Sequence, residues 1–336
     1  METTKSSVIF QRFLLYAIFN PMFGESNYGM QRRRTEREHI RNMKKGYYHM
    51  STDGWQEGLL FHTTAQFAYG MTLIGLLLLF FDVKVYSFTL MPNHIHVLLS
   101  GTGGACLDAF DYLKNKLSAK LVKDGYPPLP EDYWFQLVAV ETPEQMMNNY
   151  IYIDRNAYEK GISLPCCYPW CSSYLQHSAL GPMITGRRAD TMKASELIRL
   201  TGTRASIPGH WQFHPVLGLL PSSFIDDRLF KKLFKSPKEY GVRLMKDYEA
   251  FAKVAKSLNE TCEFSIEESR DLLRQLLQTH FSGKQQSQLS NDERGRLAVI
   301  LVTKYNMDIS TTAPTLGLSE HIVSQFLRAK DYGKQR

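Results

Sequence analysis

Cysteine is scarce and unpatterned: five residues in 336, an odd number, with no CxxC pair. This excludes a disulfide scaffold and suits the reduced thiols of a cytoplasmic protein. Cys166, Cys167, Cys171 and His177 lie near one another in the chain, but their spacing matches no standard zinc pattern. An apolar run of about 20 residues, as a membrane span requires, is also missing. The longest run, "FAYGMTLIGLLLLFF" at 67–81, reads instead as a buried helix leading into a strand, so no membrane partner is expected. The stretch "VIFQRFLLYAIF" near the N-terminus is interrupted by Arg12 and followed by no small-residue cleavage site, which argues against export. No GxxxxGK occurs; "GTGG" at 101–104 lacks the lysine and reads as a strand-end turn rather than a phosphate loop.

What the chain does have is an apolar share of 43%, enough for sizeable cores, and a formal charge of +7. The charge is concentrated. Residues 1–46 carry nine Lys/Arg against four Glu and so supply +5, while the rest is nearly balanced. Between Asp226 and Lys256 nine basic residues face five acidic ones, as an ordinary solvated helix surface also would. A nucleic-acid partner must therefore be argued from local features.

The periodicity divides the chain into four parts. Residues 1–42 read as an irregular, basic N-terminal extension. Residues 43–180 alternate strands and helices: strand "GYYHMST", a helix over about 63–80, strands "DVKVYSFTL" and "HIHVLLSG" around a tight turn at "MPN", a helix over about 107–123, strand "WFQLVAV", and a helix from Pro143 that Thr142 can cap. This predicts an α+β domain with an antiparallel sheet and helices packed on one face. Residues 181–285 read as a mixed, mostly helical middle region. Residues 286–336 show three short helices in helix-turn-helix outline, with Gly317 at the turn, Ser319 as a cap, and Glu320, His321, Gln325 and Arg328 facing outward. Pro314 sits awkwardly at the expected start of the middle one.

"TLMPNHIHVLLSG" at 89–101 sets two histidines one residue apart in a run that otherwise suits a buried strand. Strand alternation turns His94 and His96 to one face, and Ile95, Val97 and Leu99 to the core. Two imidazoles on one face can grip a metal ion. On the helix after Pro143, "NNYIYIDRNAYEKG", Tyr150 and Asp154 are four apart and share a face. Tyr152 lies about 200° around from Tyr150, so only one of the two can address the same ion; Tyr150 ranks first and Tyr152 is taken as packing. A tyrosine, a carboxylate and two histidines would make a site where a Lewis acid polarises a phosphodiester and a phenol attacks it.

"LMPNHIHVLLSG", "YIYIDRN" and "YPWCSSY" together resemble the single-tyrosine HUH transposases, in particular their REP-associated tyrosine transposase branch. The resemblance covers about residues 43–178. It implies a ferredoxin-like HUH endonuclease fold, Mg²⁺ or Mn²⁺ held by His94, His96 and Asp154, and Tyr150 as nucleophile, forming a 5′-phosphotyrosyl adduct with a free 3′-OH. It implies single-stranded or hairpin DNA as substrate and a homodimer as a candidate assembly. "DRNAYEKG" and "CSS" depart from the branch's usual pattern. Trp134 and Trp170 are candidate base-stacking residues, and His321, Gln325 and Arg328 candidate DNA contacts. Two rivals remain: a silent or domesticated transposase acting as a DNA-binding regulator, and a metal-dependent hydrolase of small phosphoesters.

Overall fold

The computed structural model describes residues 28–52, 54, 58–164, 166–178 and 181–334. The apolar stretch at 8–19 and most of the predicted extension lie outside the described residues. Where that extension was expected to be irregular, Tyr28–Arg41 forms a helix, α1. Its arginines find acids on the next helix but one: Arg37 Nη1 donates to Asp111 Oδ1 at 3.1 Å, and Arg41 to Asp108 at 3.2 Å. The approach is close enough that a Cβ on Gly103 would sit 1.8 Å from the Ile40 carbonyl oxygen.

Strand β1 (Gly46–Thr52), helix α2 (Thr64–Phe80), strands β2 (Lys84–Leu90) and β3 (Ile95–Gly101), helix α3 (Gly103–Lys123) and strand β4 (Phe135–Ala139) follow in β-α-β-β-α-β order. The strands form one antiparallel sheet ordered β2-β3-β1-β4, with Ser51 opposite His96 and Met50 opposite Val97. This is the ferredoxin-like arrangement. Tyr48, Met50, Val85, Phe88, Leu90, Ile95, Val97 and Leu99 make one core with α2 and α3. Helix α2 is apolar all round because both of its sides are covered. The sheet lies on one side; on the other, Leu219 and Phe224 press so closely that a Cβ on Gly75 would meet Leu219 at 2.3 Å. Among the described residues no helix is long and apolar enough to cross a membrane.

The expectation of helices on one face is incomplete. The second face of the sheet, bearing His49, Ser51, His96 and Leu98, is covered by helix α4 (Pro143–Glu159). Its start is as expected: Thr142 and Gln145 form a reciprocal cap, with Pro143 in the first turn. After a short helix α5 (Ser172–Gln176) the middle region splits between the two cores. Strands β5 (Arg187–Arg188), β6 (Gln212–His214) and β7 (Gly218–Leu219) form a small sheet that, with helix α6 (Ala194–Thr201), joins the α2 side. Helices α7 (Arg228–Leu233), α8 (Pro237–Lys246), α9 (Tyr248–Ser257) and α10 (Ile266–His280) pack on α4 or against one another in the second core.

The last three helices, α11 (Asn291–Lys304), α12 (Ile309–Leu316) and α13 (Glu320–Lys334), extend that second core through Leu297, Leu301, Leu316 and Val323. Gly317 adopts φ 65° at the turn, and the Ser319 hydroxyl accepts from Ile322 N at 3.3 Å. Helix α12 begins at Ile309 with Asp308 as its cap, so Pro314 falls inside it rather than at its start, and the helix forgoes the bond from that position to the Ser310 carbonyl and ends two residues later at Leu316.

Candidate active site

His96 lies on β3 and His94 just before it, held by the turn in which Met91 N donates to His94 O at 2.9 Å. The two imidazoles meet edge to face with centroids 4.8 Å apart. Both converge on one carboxamide of α4. His94 Nε2 is 3.2 Å from Asn156 Oδ1, and His96 Nε2 is 3.1 Å from Asn156 Nδ2.

The partners determine the tautomers. Asn156 Nδ2–H donates to His96 Nε2, so His96 carries its hydrogen on Nδ1 and donates to His49 Nε2 at 3.0 Å. His49 in turn donates from Nδ1 to Asn149 Oδ1 at 2.6 Å, and Asn149 Nδ2 donates to Gln145 O at 2.7 Å. This relay fixes the ring of His96 and keeps the hydrogen off Nε2, whose lone pair accepts from Asn156 Nδ2. His94 has an oxygen within reach of each ring nitrogen, Asn93 Oδ1 at 2.8 Å from Nδ1 and Asn156 Oδ1 at 3.2 Å from Nε2, so its hydrogen can lie on either; on Nδ1 it frees Nε2 for a cation. Burial pushes His49 and His94 down to about 4 and His96 further, so all three are neutral and able to serve as ligands or ligand supports near pH 7.

Tyr152 is the tyrosine beside this group. Its ring lies edge-on to His96 at 5.4 Å and to His49 at 5.7 Å, and stacks on Phe251 of α9 at 4.7 Å. Its hydroxyl donates to Glu260 Oε2. Asn149, Tyr152 and Asn156, at i, i+3 and i+7, form the face of α4 turned to the histidines.

Tyr150 and Asp154 are on the opposite flank. The Tyr150 ring lies between Phe230 and Phe234, and its buried hydroxyl has no hydrogen-bond partner. Asp154 accepts from Tyr240, from Cys171 Sγ at 3.1 Å and from Ser87 at 3.4 Å. Burial raises its carboxyl to about 6. The grouping expected from the sequence, Tyr150 and Asp154 with His94 and His96, is therefore not assembled, because two residues along a helix turn a side chain by about 200°. Asp154 does not pair with Arg155 or Lys160 either; those bind Glu268 and Glu263. Among the described residues no three His, Cys, Asp or Glu side chains gather to hold a metal, and at the histidine pair the further donor is Asn156.

The aromatic candidates are engaged in packing. Trp134 lies against Phe110 and Phe135, with the guanidinium groups of Arg33 and Arg37 each 5.5 Å from its ring. Trp170 stacks on Phe67 at 4.9 Å. On α13, His321, Gln325 and Arg328 are exposed, with His321 and Gln325 bonded at 3.0 Å. The sequence reading passed over His49, Asn156 and Glu260. A signal existed for His49: in "GYYHMST" the polar His49 and Ser51 alternate with Tyr48 and Met50, which marks a second polar position on the face that His96 occupies. Glu260, more than a hundred residues from Tyr152, had none.

No family model and no curated protein matches this chain. A solved structure described as "Structure of the REP associates tyrosine transposase bound to a REP hairpin" overlaps 39% of this chain and 78% of its own, at 14% identity and a TM-score of 0.32. A likeness of that size is too slight to carry function from one protein to the other.

Proposed function

We propose that the chain is a metal-dependent nicking and strand-transfer enzyme of the single-tyrosine HUH type, a transposase acting on single-stranded or hairpin DNA, with Tyr152 as its nucleophile. The observation that carries the reading is the convergence of His94, His96, Asn156 and Tyr152. A histidine pair, an oxygen donor and a phenol meet on one face of a sheet, joined by a relay that holds His96 in the ligand tautomer. The motifs "HIH" and "YIYIDRN" support it from the sequence side.

His94 Nε2, His96 Nε2 and Asn156 Oδ1 are the atoms that would hold the ion. When bound, Mn²⁺ or Mg²⁺ supplies Lewis-acid polarisation of the scissile phosphate. The two-nitrogen, one-oxygen set is neutral and suits Mn²⁺ better than Mg²⁺, which prefers oxygen. Tyr152 then attacks phosphorus, the 3′-oxygen leaves, and the covalent ester keeps the bond energy for rejoining. The exposed His321, Gln325 and Arg328 are the proposed DNA contacts of the last three helices.

One observation favours the regulator reading. Tyr152 is 1% exposed and His96 0%, with Phe251 of α9 stacked on the Tyr152 ring, so a phosphate reaches them only when that cover opens. Both readings meet one test. Incubation of the full chain with labelled hairpin DNA and Mn²⁺ should give a complex that survives denaturing electrophoresis and disappears on chelation. DNA binding with no covalent complex at any metal concentration would leave the regulator reading standing.

A further inference from the structure

The geometry points to Glu260 as the general base that takes the proton from Tyr152, an inference that rests on the assignment of Tyr152 as nucleophile. A phenol is mostly un-ionised at neutral pH and needs a base to attack phosphorus. Burial, and then the charge of Glu260, raise Tyr152 further, so it enters the reaction as a neutral hydroxyl. The acceptor of that hydroxyl's hydrogen is Glu260 Oε2.

The carboxylate is placed by groups from both ends of the chain. Its other oxygen accepts from Ser51 Oγ of β1 at 3.4 Å, one strand over from His96. Its backbone is fastened on two sides. Gln136 Nε2 of β4 donates to Leu258 O at 3.2 Å, and in the loop before α12 Asn306 Nδ2 donates to Glu260 O while Cys262 N donates to Asn306 O at 2.9 Å. Asn259, with φ 55°, makes the turn that directs Glu260 back to the sheet. The helical region thus contributes a residue to the site on the sheet.

In the step proposed, the Tyr152 oxygen forms its bond to phosphorus while its proton passes to Glu260 Oε2. The phosphorus–O3′ bond breaks, and O3′ leaves with the electron pair and takes a proton from solvent water, leaving hydroxide in solution. On rejoining, the 3′-hydroxyl attacks and gives its proton to the solvent hydroxide, and the carboxyl of Glu260 returns the stored proton to Tyr152.

The test is single-turnover adduct formation by the full chain on a 3′-labelled hairpin oligonucleotide with Mn²⁺, in wild type, Glu260→Gln, Glu260→Ala and Tyr152→Phe, with thermal melting and DNA affinity measured alongside. Glu260→Gln and Glu260→Ala should each slow the adduct roughly 10²- to 10³-fold with DNA affinity unchanged. Added formate should restore Glu260→Ala about tenfold or more, and leave Glu260→Gln, whose amide fills the space, unmoved. Wild-type rates in both Glu260 variants, with no adduct in Tyr152→Phe, would overturn the base while leaving the nucleophile standing. Slowing without formate rescue would make Glu260 a structural residue and equally overturn it. An adduct in Tyr152→Phe, or none in wild type, would remove the nucleophile assignment and this inference with it.

Discussion

Tyr150 and Tyr152 are two residues apart on one helix, each 1% exposed, and each four residues before a polar side chain, yet their surroundings differ in kind. Around Tyr152 and Asn156 lie three neutral histidines, a carboxylate and a continuous set of hydrogen bonds from Gln145 to Asn156. Around Tyr150 and Asp154 lie phenylalanines and groups that hold α4 to α8, β2 and the Cys171 segment. One flank has donors and acceptors aimed at a common point. The other fastens elements together. Burial alone does not distinguish them; the direction of the polar atoms does.

Removing each hydroxyl in turn separates the two flanks. Tyr152→Phe should abolish the covalent DNA adduct, while Tyr150→Phe should retain it within about threefold, since that hydroxyl bonds to nothing. The reverse result would return the nucleophile to the apolar flank. Next in size, Asn156→Ala should lower Mn²⁺-supported adduct formation by about 100-fold, as loss of a metal-site donor does, whereas Asp154→Asn should change it less than threefold. Equal losses would mean that both residues serve the ion.

Asp154 should instead act on stability, and its contribution should depend on pH. Its folded carboxyl, raised from 3.8 to about 6, holds its proton more tightly than in the unfolded chain. The stabilisation is fully present below about pH 4 and is lost as pH rises through 6, a change of about 3 kcal/mol. The buried histidines run the opposite way, losing stability as pH falls from 6.5 toward 4, so the comparison is wild type against Asp154→Asn, in which they cancel. Urea unfolding at pH 4 and pH 7 should show the Asn variant gaining on wild type by that amount at the higher pH. A difference independent of pH would mean that the carboxyl is already ionised in the fold. The smallest effect belongs to α13: Arg328→Ala should weaken DNA binding by about 1 kcal/mol and lower the salt slope by about one. An unchanged slope would remove that helix from the interface.

Much of the sheet was legible because its strands alternate apolar with polar side chains: Ile95, Val97 and Leu99 against His96, and Met50 against His49 and Ser51. The capped start of α4 was legible in Thr142 and Pro143. The rotation of α4 was not. A helix covered on one side shows its phase in its apolar stripe, but Tyr150, Ile151, Tyr152 and Ile153 are all 0–1% exposed, and a helix buried all round carries no stripe to read. Both i, i+4 pairs satisfied the same spacing rule, and only the partners across the interface separate them. Glu260 was out of reach for a different reason, since it arrives through tertiary packing of α9 and α12 that no local pattern encodes.

On the proposed mechanism Tyr152 is the residue that becomes covalently bound to DNA. Proteolysis of the trapped adduct followed by fragment-ion mass spectrometry of the peptide spanning 143–160 tests it directly. The nucleotide mass should first appear in N-terminal fragments that include Tyr152, with fragments ending at Tyr150 or Ile151 unmodified. Fragments ending at Tyr150 that already carry the nucleotide would make Tyr150 the nucleophile instead.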